Sequence, residues 1–216
     1  MKWLDITKSV AQGGLGIRRI RDVNACLLLK WWWKFGTHTD ALWRRIFCSK
    51  YKIEVNCWHP PVISSYKLSR VWRDILFIGD HSTNIFNFFL LSCQIKVGDG
   101  CRIKFWYDKW CGATCLKDEF PSLFNLSVDK KGSLQQFVAR KTSDTDWNFN
   151  FRRALYAWKL PDESRLLRLL ASAPSLSTGC IDSLVWNSTT AGSGPFSASS
   201  LYSFSTSLLG PDLTIT

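Results

Sequence analysis

The sequence has few histidines, no neighbouring aspartates and no glycine-rich phosphate loop, and each absence excludes a kind of active site. Its three histidines have no serine and aspartate partners in a pattern that would indicate a catalytic triad. No two aspartates are adjacent, which excludes a two-metal site built on such a pair. No Gly-x-x-x-x-Gly-Lys-Ser/Thr motif occurs, so a P-loop is excluded as well.

Long apolar runs are also missing. Charges such as Lys30 and Lys34 interrupt every apolar segment, so no stretch of 18 apolar residues exists and no membrane span is expected. Lys2, Asp5 and Lys8 interrupt the first residues, which argues against a secretory signal. We therefore expect an intracellular protein, nuclear or cytoplasmic, whose eight cysteines are free thiols.

What the chain does have is tryptophan and positive charge. Its 216 residues include 12 tryptophans and are 46% hydrophobic, which favours a folded core over disorder. Residues 1–110 carry 18 Lys/Arg against 8 Asp/Glu, whereas residues 111–216 carry 10 against 9. A polyanion is therefore expected to bind the first part only. A basic protein without such a ligand is the alternative.

Residues 23–35, rich in leucine and tryptophan, predict the first helix, with Asp22 as N-cap and Gly36 just past the end. Successive helical residues step by about 100°, so the three tryptophans at 31–33 cannot share one face. Some of them must face a second layer of the same domain, another domain, a nucleic acid or water.

Two short helices with the same apolar spacing are predicted next. Their apolar residues recur at i, i+1, i+4 and i+5: Leu42, Trp43, Ile46 and Phe47, then Val71, Trp72, Ile75 and Leu76. Three arginines are expected to project from the opposite faces: Arg44, Arg45 and Arg73.

Alternation of apolar and charged residues predicts a β-hairpin at residues 94–106. A two-residue Asp99-Gly100 loop would mix the two faces. A three-residue Gly98-Asp99-Gly100 loop keeps an apolar face and a cationic face separate, so we predict this loop, with Gly100 in the left-handed conformation.

The predicted hairpin suggests a nucleic-acid site. Its register places Lys96 opposite Arg102, an unfavourable like-charge pair, and a phosphate across the cationic face would turn that repulsion into attraction. Neighbouring aromatic side chains with interleaved cations suit stacked bases. The alternative is a solvated strand face beside buried core aromatics. The candidate nucleic-acid-binding residues are Lys96, Arg102, Lys104, Lys109, Trp106 and Trp110.

Beyond residue 111 the pattern predicts short helices and a second hairpin. Helices are predicted after Phe120-Pro121 and over residues 133–140, 151–159 and 162–171, the last two separated by Pro161. A hairpin is predicted between residues 184–186 and 196–198, joined by a Ser/Thr/Gly turn and followed by a helix capped by Ser199.

These elements predict an α+β fold that is mostly helical, with one or two β-hairpins. Composition suggests three regions. Residues 1–110 form a basic helical region with the hairpin at 94–106, residues 111–178 form a helical region, and residues 179–216 form a third, smaller region.

Several motifs occur in an order that resembles one family. The first is Gly13-Gly14-Leu15-Gly16-Ile17 followed by Asn24-Ala25-Cys26-Leu27-Leu28-Leu29-Lys30-Trp31, and the later ones are Leu42-Trp43-Arg44-Arg45, Val71-Trp72-Arg73-Asp74-Ile75, Val97-Gly98-Asp99-Gly100 with Phe105-Trp106-Tyr107-Asp108-Lys109-Trp110, Phe120-Pro121-Ser122-Leu123-Phe124, and residues 147–153. Over roughly residues 3 to 204, the chain resembles the region that follows the polymerase domain in plant non-LTR (LINE-type) retrotransposon reverse transcriptases.

The resemblance implies a part of the polyprotein that lies between the polymerase and the reverse-transcriptase zinc-binding region. The family's aromatic-x-Asp-Asp carboxylates are absent, so we expect no enzymatic activity and no cofactor. The Val-Trp, Gly-x-Phe and Ser-Leu-Tyr pattern near residues 185–202 resembles the start of the zinc-binding region. The metal ligands of that region would come later, so this chain is expected to be truncated before them.

Two groups within the chain are candidate metal sites. Cys48, Cys57 and His59 are loosely spaced. Cys111 and Cys115 form a closer pair, with Cys101 upstream across the predicted hairpin. Buried thiols explain both groups better than metal ligation does, so we predict no metal site.

Three hypotheses for function remain. The first is weak, non-specific binding of RNA or DNA. The second is a structural module that packs against the polymerase domain of its parent polyprotein and exposes apolar surface without it. The third is a decayed retroelement copy with no independent biochemical activity.

Overall fold

The computed structural model describes residues 6–7, 13–61, 63–142, 146–177, 179–188, 192–194 and 196–208. The helices are α1 (Ile20–Thr37), α2 (Leu42–Tyr51), α3 (Arg70–Leu76), α4 (Ile78–His81), α5 (Thr83–Ser92), α6 (Leu116–Glu119), α7 (Pro121–Leu126), α8 (Leu134–Ala139), α9 (Leu160–Ala171) and α10 (Ala198–Leu208). The strands are β1 (Cys93–Lys96), β2 (Ser183–Ser188) and β3 (Gly192–Gly194). The predicted α+β, mostly helical class is confirmed.

The three strands form one small sheet in the order β1-β2-β3. β2 and β3 are antiparallel, with Trp186 opposite Gly194 and Ser188 opposite Gly192. A hairpin predicted in this part of the chain is therefore present and its first strand is confirmed, but the second strand predicted at residues 196–198 is wrong, since β3 is Gly192–Gly194. The predicted turn at residues 189–191 lies outside the described residues.

The chain divides into two compact units. Unit 1 comprises Met1–Cys93 with Trp186–Thr216, and unit 2 comprises Gln94–Val185. The division suggested by composition, at residues 110 and 178, does not coincide with these bounds, because composition follows charge whereas the units follow contacts.

Unit 1 is organised around α1. The buried residues of its core are Ala25, Cys26, Leu29, Trp32, Ile75, Ile78, Ile85, Phe89, Trp186 and Leu201, and α10 packs against α1 and α5. The predicted helix is confirmed, but its predicted caps are wrong. The helix begins three residues earlier than expected, with Asp22 inside its first turn, and Gly36 lies within its last turn.

The three consecutive tryptophans of α1 face three different partners within unit 1. Trp32 is buried and its indole N–H donates to the carbonyl of Ile75 at 2.7 Å. Trp33 stacks on Phe196, with ring centroids 5.4 Å apart. Trp31 packs edge-on against Trp43, with ring centroids 5.4 Å apart, and remains 38% exposed. The prediction that these residues cannot share a face is confirmed, and the partners are another layer of the same unit and water.

The predicted orientation of α2 is wrong. Its buried residues are Arg44, Phe47 and Cys48, whereas Leu42 and Ile46 are exposed. A helix can turn a cationic residue inward only if its donors find acceptors there. The reason in this case is a set of backbone carbonyls that surrounds the guanidinium of Arg44.

Unit 2 has a core of aromatic and leucine side chains held by short helices. Ser133 and Gln136 form a capping box at the start of α8, which confirms the helix predicted at residues 133–140. The helix predicted at residues 151–159 is wrong, since only a 3₁₀ turn at Ala157–Lys159 forms there. Pro161 does not separate two helices but lies in the first turn of α9, where its missing N–H is tolerated.

Candidate nucleic-acid interface

The segment that carries the candidate residues is a loop rather than a hairpin. β1 ends at Lys96, and residues 97–103 form no strand. Lys104 makes an isolated antiparallel bridge with Ser133. The β-hairpin predicted at residues 94–106 is therefore wrong, and Lys96 and Arg102 are not cross-strand neighbours.

The buried carboxylate of Asp182 explains why no hairpin forms. One of its oxygens accepts hydrogen bonds from the backbone N–H groups of Gly98 at 2.8 Å and Gly100 at 3.0 Å. The other oxygen accepts from the N–H of Arg102 at 2.9 Å. Asp182 is only 6% exposed. Because three alternate amides point at one side chain, they cannot donate to a second strand.

The backbone carbonyls of the same loop are also used elsewhere within unit 2. The carbonyl of Gly98 accepts from the N–H of Ser177 at 2.8 Å, and that of Gly100 accepts from Gln135 at 3.0 Å. The carbonyl of Ile103 accepts from Leu134 at 2.8 Å. The loop is therefore held on both sides by other parts of unit 2.

Both glycines of the loop are required by its geometry. Gly100 has a φ of +70°, which confirms its predicted left-handed conformation. A Cβ on Gly98 would lie 2.4 Å from the carbonyl oxygen of Cys180. This contact brings residues 180–181 against the loop and places Asp182 beside the three amides.

The candidate cations differ in exposure. Lys96 and Lys109 are exposed, whereas Arg102 and Lys104 are half-buried. The backbone N–H of Lys104 donates to the carboxylate of Asp108 at 2.7 Å, which folds the chain into the turn before Lys109. Lys96 and Lys109 are thus the two more exposed of the four candidate cations.

The candidate aromatic residues are not available for stacking. Trp106 is 0% exposed, and its indole N–H donates to Ser127 Oγ at 3.2 Å. Trp110 is 5% exposed, and its indole N–H donates to the carbonyl of Phe105 at 3.0 Å. The expectation that either indole stacks on a base does not fit this burial. Of the alternative, a solvated strand face beside buried core aromatics, the second part is correct for both residues.

The cysteines show no arrangement for metal binding in the described ranges, where no group of three His, Cys, Asp or Glu residues could hold an ion. Burial, together with the charge of Asp22, raises the pKa of Cys26 to about 12, and burial also raises the pKa of Cys111 to about 12. A thiol must lose its proton to ligate a metal, so these groups are poor ligands.

Across the described residues, no helix has both the length and the apolar character needed to cross a bilayer.

Comparison with known proteins gives one weak similarity. The chain is 26% identical over 117 residues to an Arabidopsis thaliana protein named "Putative ribonuclease H protein". The matched segment covers 51% of this chain and 17% of that protein. No family model matches the chain. No solved structure matches it either.

Two features of unit 2 were not found from the sequence. Asp182 carries no local signal, because its three amide partners lie at least 80 residues earlier in the chain. Tyr156 and Trp158 are 51% and 69% exposed. The helix predicted at residues 151–159 gave no indication of their exposure. The neighbouring Arg152 and Arg153 did indicate a charged surface.

Proposed function

We propose that the chain is a retroelement-derived part of a LINE-type reverse transcriptase polyprotein, and that it binds RNA or DNA weakly and without sequence preference. The ordered motifs support this origin, and so does the weak homology to a protein named as a ribonuclease H. Because the sequence has no neighbouring aspartates, the proposal assigns no polymerase chemistry to this chain.

The observation that carries the binding proposal is the exposure of Lys96 and Lys109. Among the residues that the structure describes, no ion pair or hydrogen bond engages either ammonium group. Unit 2 as a whole has 14 Lys/Arg against 10 Asp/Glu. Unneutralised cations attract phosphates regardless of base sequence, with non-specific dissociation constants of about 10⁻⁴ to 10⁻⁶ M at physiological salt.

The test is a titration of the purified chain against a fluorescent single-stranded RNA, read by anisotropy at several salt concentrations. Two to four phosphate contacts predict a slope of about −1.4 to −2.8 in a plot of log affinity against log salt, since each contact on a single strand contributes about −0.7. A folded, monodisperse sample that does not bind at low salt would refute the proposal.

A charge-reversal pair locates the site. Lys96→Glu with Lys109→Glu is expected to weaken binding to all sequences similarly, by about tenfold or more at low salt. The matched control is Lys30→Glu with Lys67→Glu, which changes the net charge equally at exposed lysines of unit 1. Equal weakening by both pairs would mean that net charge alone governs binding and would refute a local site.

A structural module that docks on a polymerase domain is the second candidate, and a surface of unit 1 favours it. Ile20, Leu27 and Trp31 are 77%, 49% and 38% exposed, and their spacing of seven and four residues places them on one face of α1. An exposed apolar stripe of this kind indicates a protein contact.

This candidate predicts self-association when no partner is present. Light scattering should show oligomers at micromolar concentration, and Ile20→Lys with Leu27→Lys should shift the sample to monomers. A monomeric wild-type chain would argue against docking through this stripe.

A further inference from the structure

Trp158 is the most exposed tryptophan among the described residues, at 69%. Trp106 and Trp110 of the same unit are buried, and Trp147 is half-buried. An indole in water leaves a large apolar area uncovered, and tryptophans left in this state commonly mark a binding surface.

Tyr156 lies beside Trp158 in a near-parallel orientation. The ring centroids are 6.3 Å apart and the ring planes differ by 14°, and Tyr156 is 51% exposed. Near-parallel exposed rings offer flat faces on which planar groups can stack.

Each ring has a cation close to it. The guanidinium carbon of Arg153 lies 4.4 Å from the centroid of Tyr156, and its Nη1 donates to the tyrosine hydroxyl at 2.9 Å. The ammonium of Lys159 lies 4.8 Å from the centroid of Trp158. Lys159 is 7% exposed and donates to the carbonyl of Ser122 at 3.3 Å, so this cation is fixed by the fold.

The backbone around the pair is anchored within unit 2. The N–H of Arg152 donates to the carbonyl of Leu126 at 3.0 Å, and its guanidinium donates to the carbonyl of Asn125 at 2.8 Å. On the other side, the 3₁₀ turn at Ala157–Lys159 leads directly into α9. The two rings are therefore presented by a fixed segment rather than by a free end.

The charge around the rings favours a polyanion. Arg152 and Arg153 are exposed next to the pair. The nearby carboxylate of Asp162 is already engaged, since it accepts from Ser122 Oγ at 2.9 Å and lies 3.9 Å from Arg165. Aromatic faces combined with arginines suit a single strand, whose bases stack while its phosphates contact the cations.

We propose that Tyr156 and Trp158 form a stacking surface for unpaired nucleobases, with Arg153 contacting the adjacent phosphate. This inference rests on the proposed nucleic-acid binding and gives it a base-contacting component that the buried Trp106 and Trp110 do not supply. The ligand is single-stranded RNA or DNA, because bases paired within a duplex do not present free faces.

The experiment compares two fluorescent strands by anisotropy: a ten-nucleotide uridine strand and an abasic strand of the same length and charge. The wild-type chain is expected to bind the uridine strand at least about fivefold more tightly, since one stacked base contributes at least that factor. Trp158→Leu keeps an apolar side chain but removes the aromatic face, so it should bring the two affinities together. Trp158→Phe should restore part of the difference.

The matched control is Trp31→Leu, at the exposed tryptophan of unit 1, which should leave the preference for the uridine strand unchanged. Equal affinity of the wild-type chain for both strands would overturn the stacking surface and leave phosphate-led binding intact. Absence of binding to either strand would overturn both proposals. If Trp158→Leu changed only self-association, Trp158 would be a protein contact and the inference would be wrong.

Discussion

Each unit holds part of its backbone with a buried charged side chain, and these two side chains have opposite charges. In unit 1 the buried ion is a cation: Arg44 is 1% exposed and donates to the carbonyls of Phe35 and Val55 at 2.7 Å and of Cys57 at 3.2 Å. In unit 2, which also buries the cation Lys159, the loop at residues 97–103 is held by an anion, Asp182, which accepts from three backbone N–H groups. Neither ion is matched by an opposite side-chain charge in these contacts, since backbone dipoles provide the partners.

This difference shows which backbone groups each unit leaves without partners. Arg44 satisfies carbonyls at the end of α1 and in the loop after α2, which helical and turn hydrogen bonds leave open. Asp182 satisfies amides of an irregular loop that belongs to no ladder. A buried N–H without a partner is rarer in proteins than an under-satisfied carbonyl, so unit 2 is expected to depend more strongly on its ion.

The largest effect is expected from Asp182→Ala, which leaves three amides without acceptors, two of them buried. We expect unit 2 to lose on the order of 4 kcal/mol in its free energy of unfolding. Hydrogen exchange measured by mass spectrometry should show faster exchange throughout residues 94–142 while α1 keeps its protection.

Asp182→Asn is the control for this prediction. The amide oxygen can keep the two bonds made to Gly98 and Gly100, so the loss should be roughly half as large. If both variants left unit 2 unchanged, the carboxylate would not be what holds the loop.

In unit 1, Arg44→Ala is expected to lower the free energy of unfolding by a smaller amount, about 3 kcal/mol. The freed carbonyls lie partly near solvent and can regain water, which limits the effect. Arg44→Lys keeps the charge but lacks the planar fork that reaches several carbonyls at once, so it should be almost as destabilising. Urea unfolding, together with hydrogen exchange in α1 and α2, measures the stability of both variants. If Arg44→Lys were as stable as the wild-type chain, the planar guanidinium would not be required.

Gly98→Ala tests the close approach that brings Asp182 to the loop. Its Cβ would meet the backbone of residues 180–181 at 2.4 to 2.6 Å, so the backbone must shift, with an expected loss of about 2 kcal/mol in unit 2. Gly112→Ala is the control in the same unit, because a Cβ there would meet no heavy atom closer than 3.9 Å, and it should lose little. Thermal unfolding of both variants measures the loss that the close approach at Gly98 causes.

The smallest effect is expected on the stability of unit 2 at acid pH. Hydrogen bonds from Asn150 and Arg140 lower the pKa of Asp129 in unit 2. A lowered folded pKa means that the stabilisation is present above the unfolded value of about 3.9 and is lost as the pH falls through the folded pKa.

Because Asp129 is partly exposed, the contribution should be no more than a few tenths of a kcal/mol. Asp129→Asn should reduce, by that amount, the fall in the free energy of unfolding of unit 2 between pH 5 and pH 2. Unit 1 should be unaffected. A slope unchanged by the substitution would contradict this assignment.

Several elements of both units could be predicted from the sequence, because the residues that determine them are neighbours in the chain. The tryptophan-rich helix, the helix after Ser133 and the left-handed Gly100 all follow from neighbouring residues. The loop at residues 97–103 could not be predicted in this way. Its alternation of apolar and charged residues fits a hairpin, and only a carboxylate 80 or more residues away decides otherwise.

The candidate site was predictable in its charges but not in its aromatic residues. Lys96 and Lys109 are exposed, as a cationic surface requires. The neighbouring residues in the sequence, however, do not show that Trp106 is buried and Trp158 exposed. Both stand near cations in the sequence. Their difference arises from packing, since Ser127 and Phe124 cover the first indole, whereas the second is 69% exposed.

The contact between Asp182 and Gly100 also has a consequence for synthesis of the chain. The two residues are separated by 82 positions, and a ribosome that adds about 5–20 residues per second needs about 4–16 s to make that stretch. Throughout this interval the three amides of the loop have been synthesised without the carboxylate that will hold them. The nascent loop therefore remains open to water, chaperones or strand pairing until Asp182 has been added.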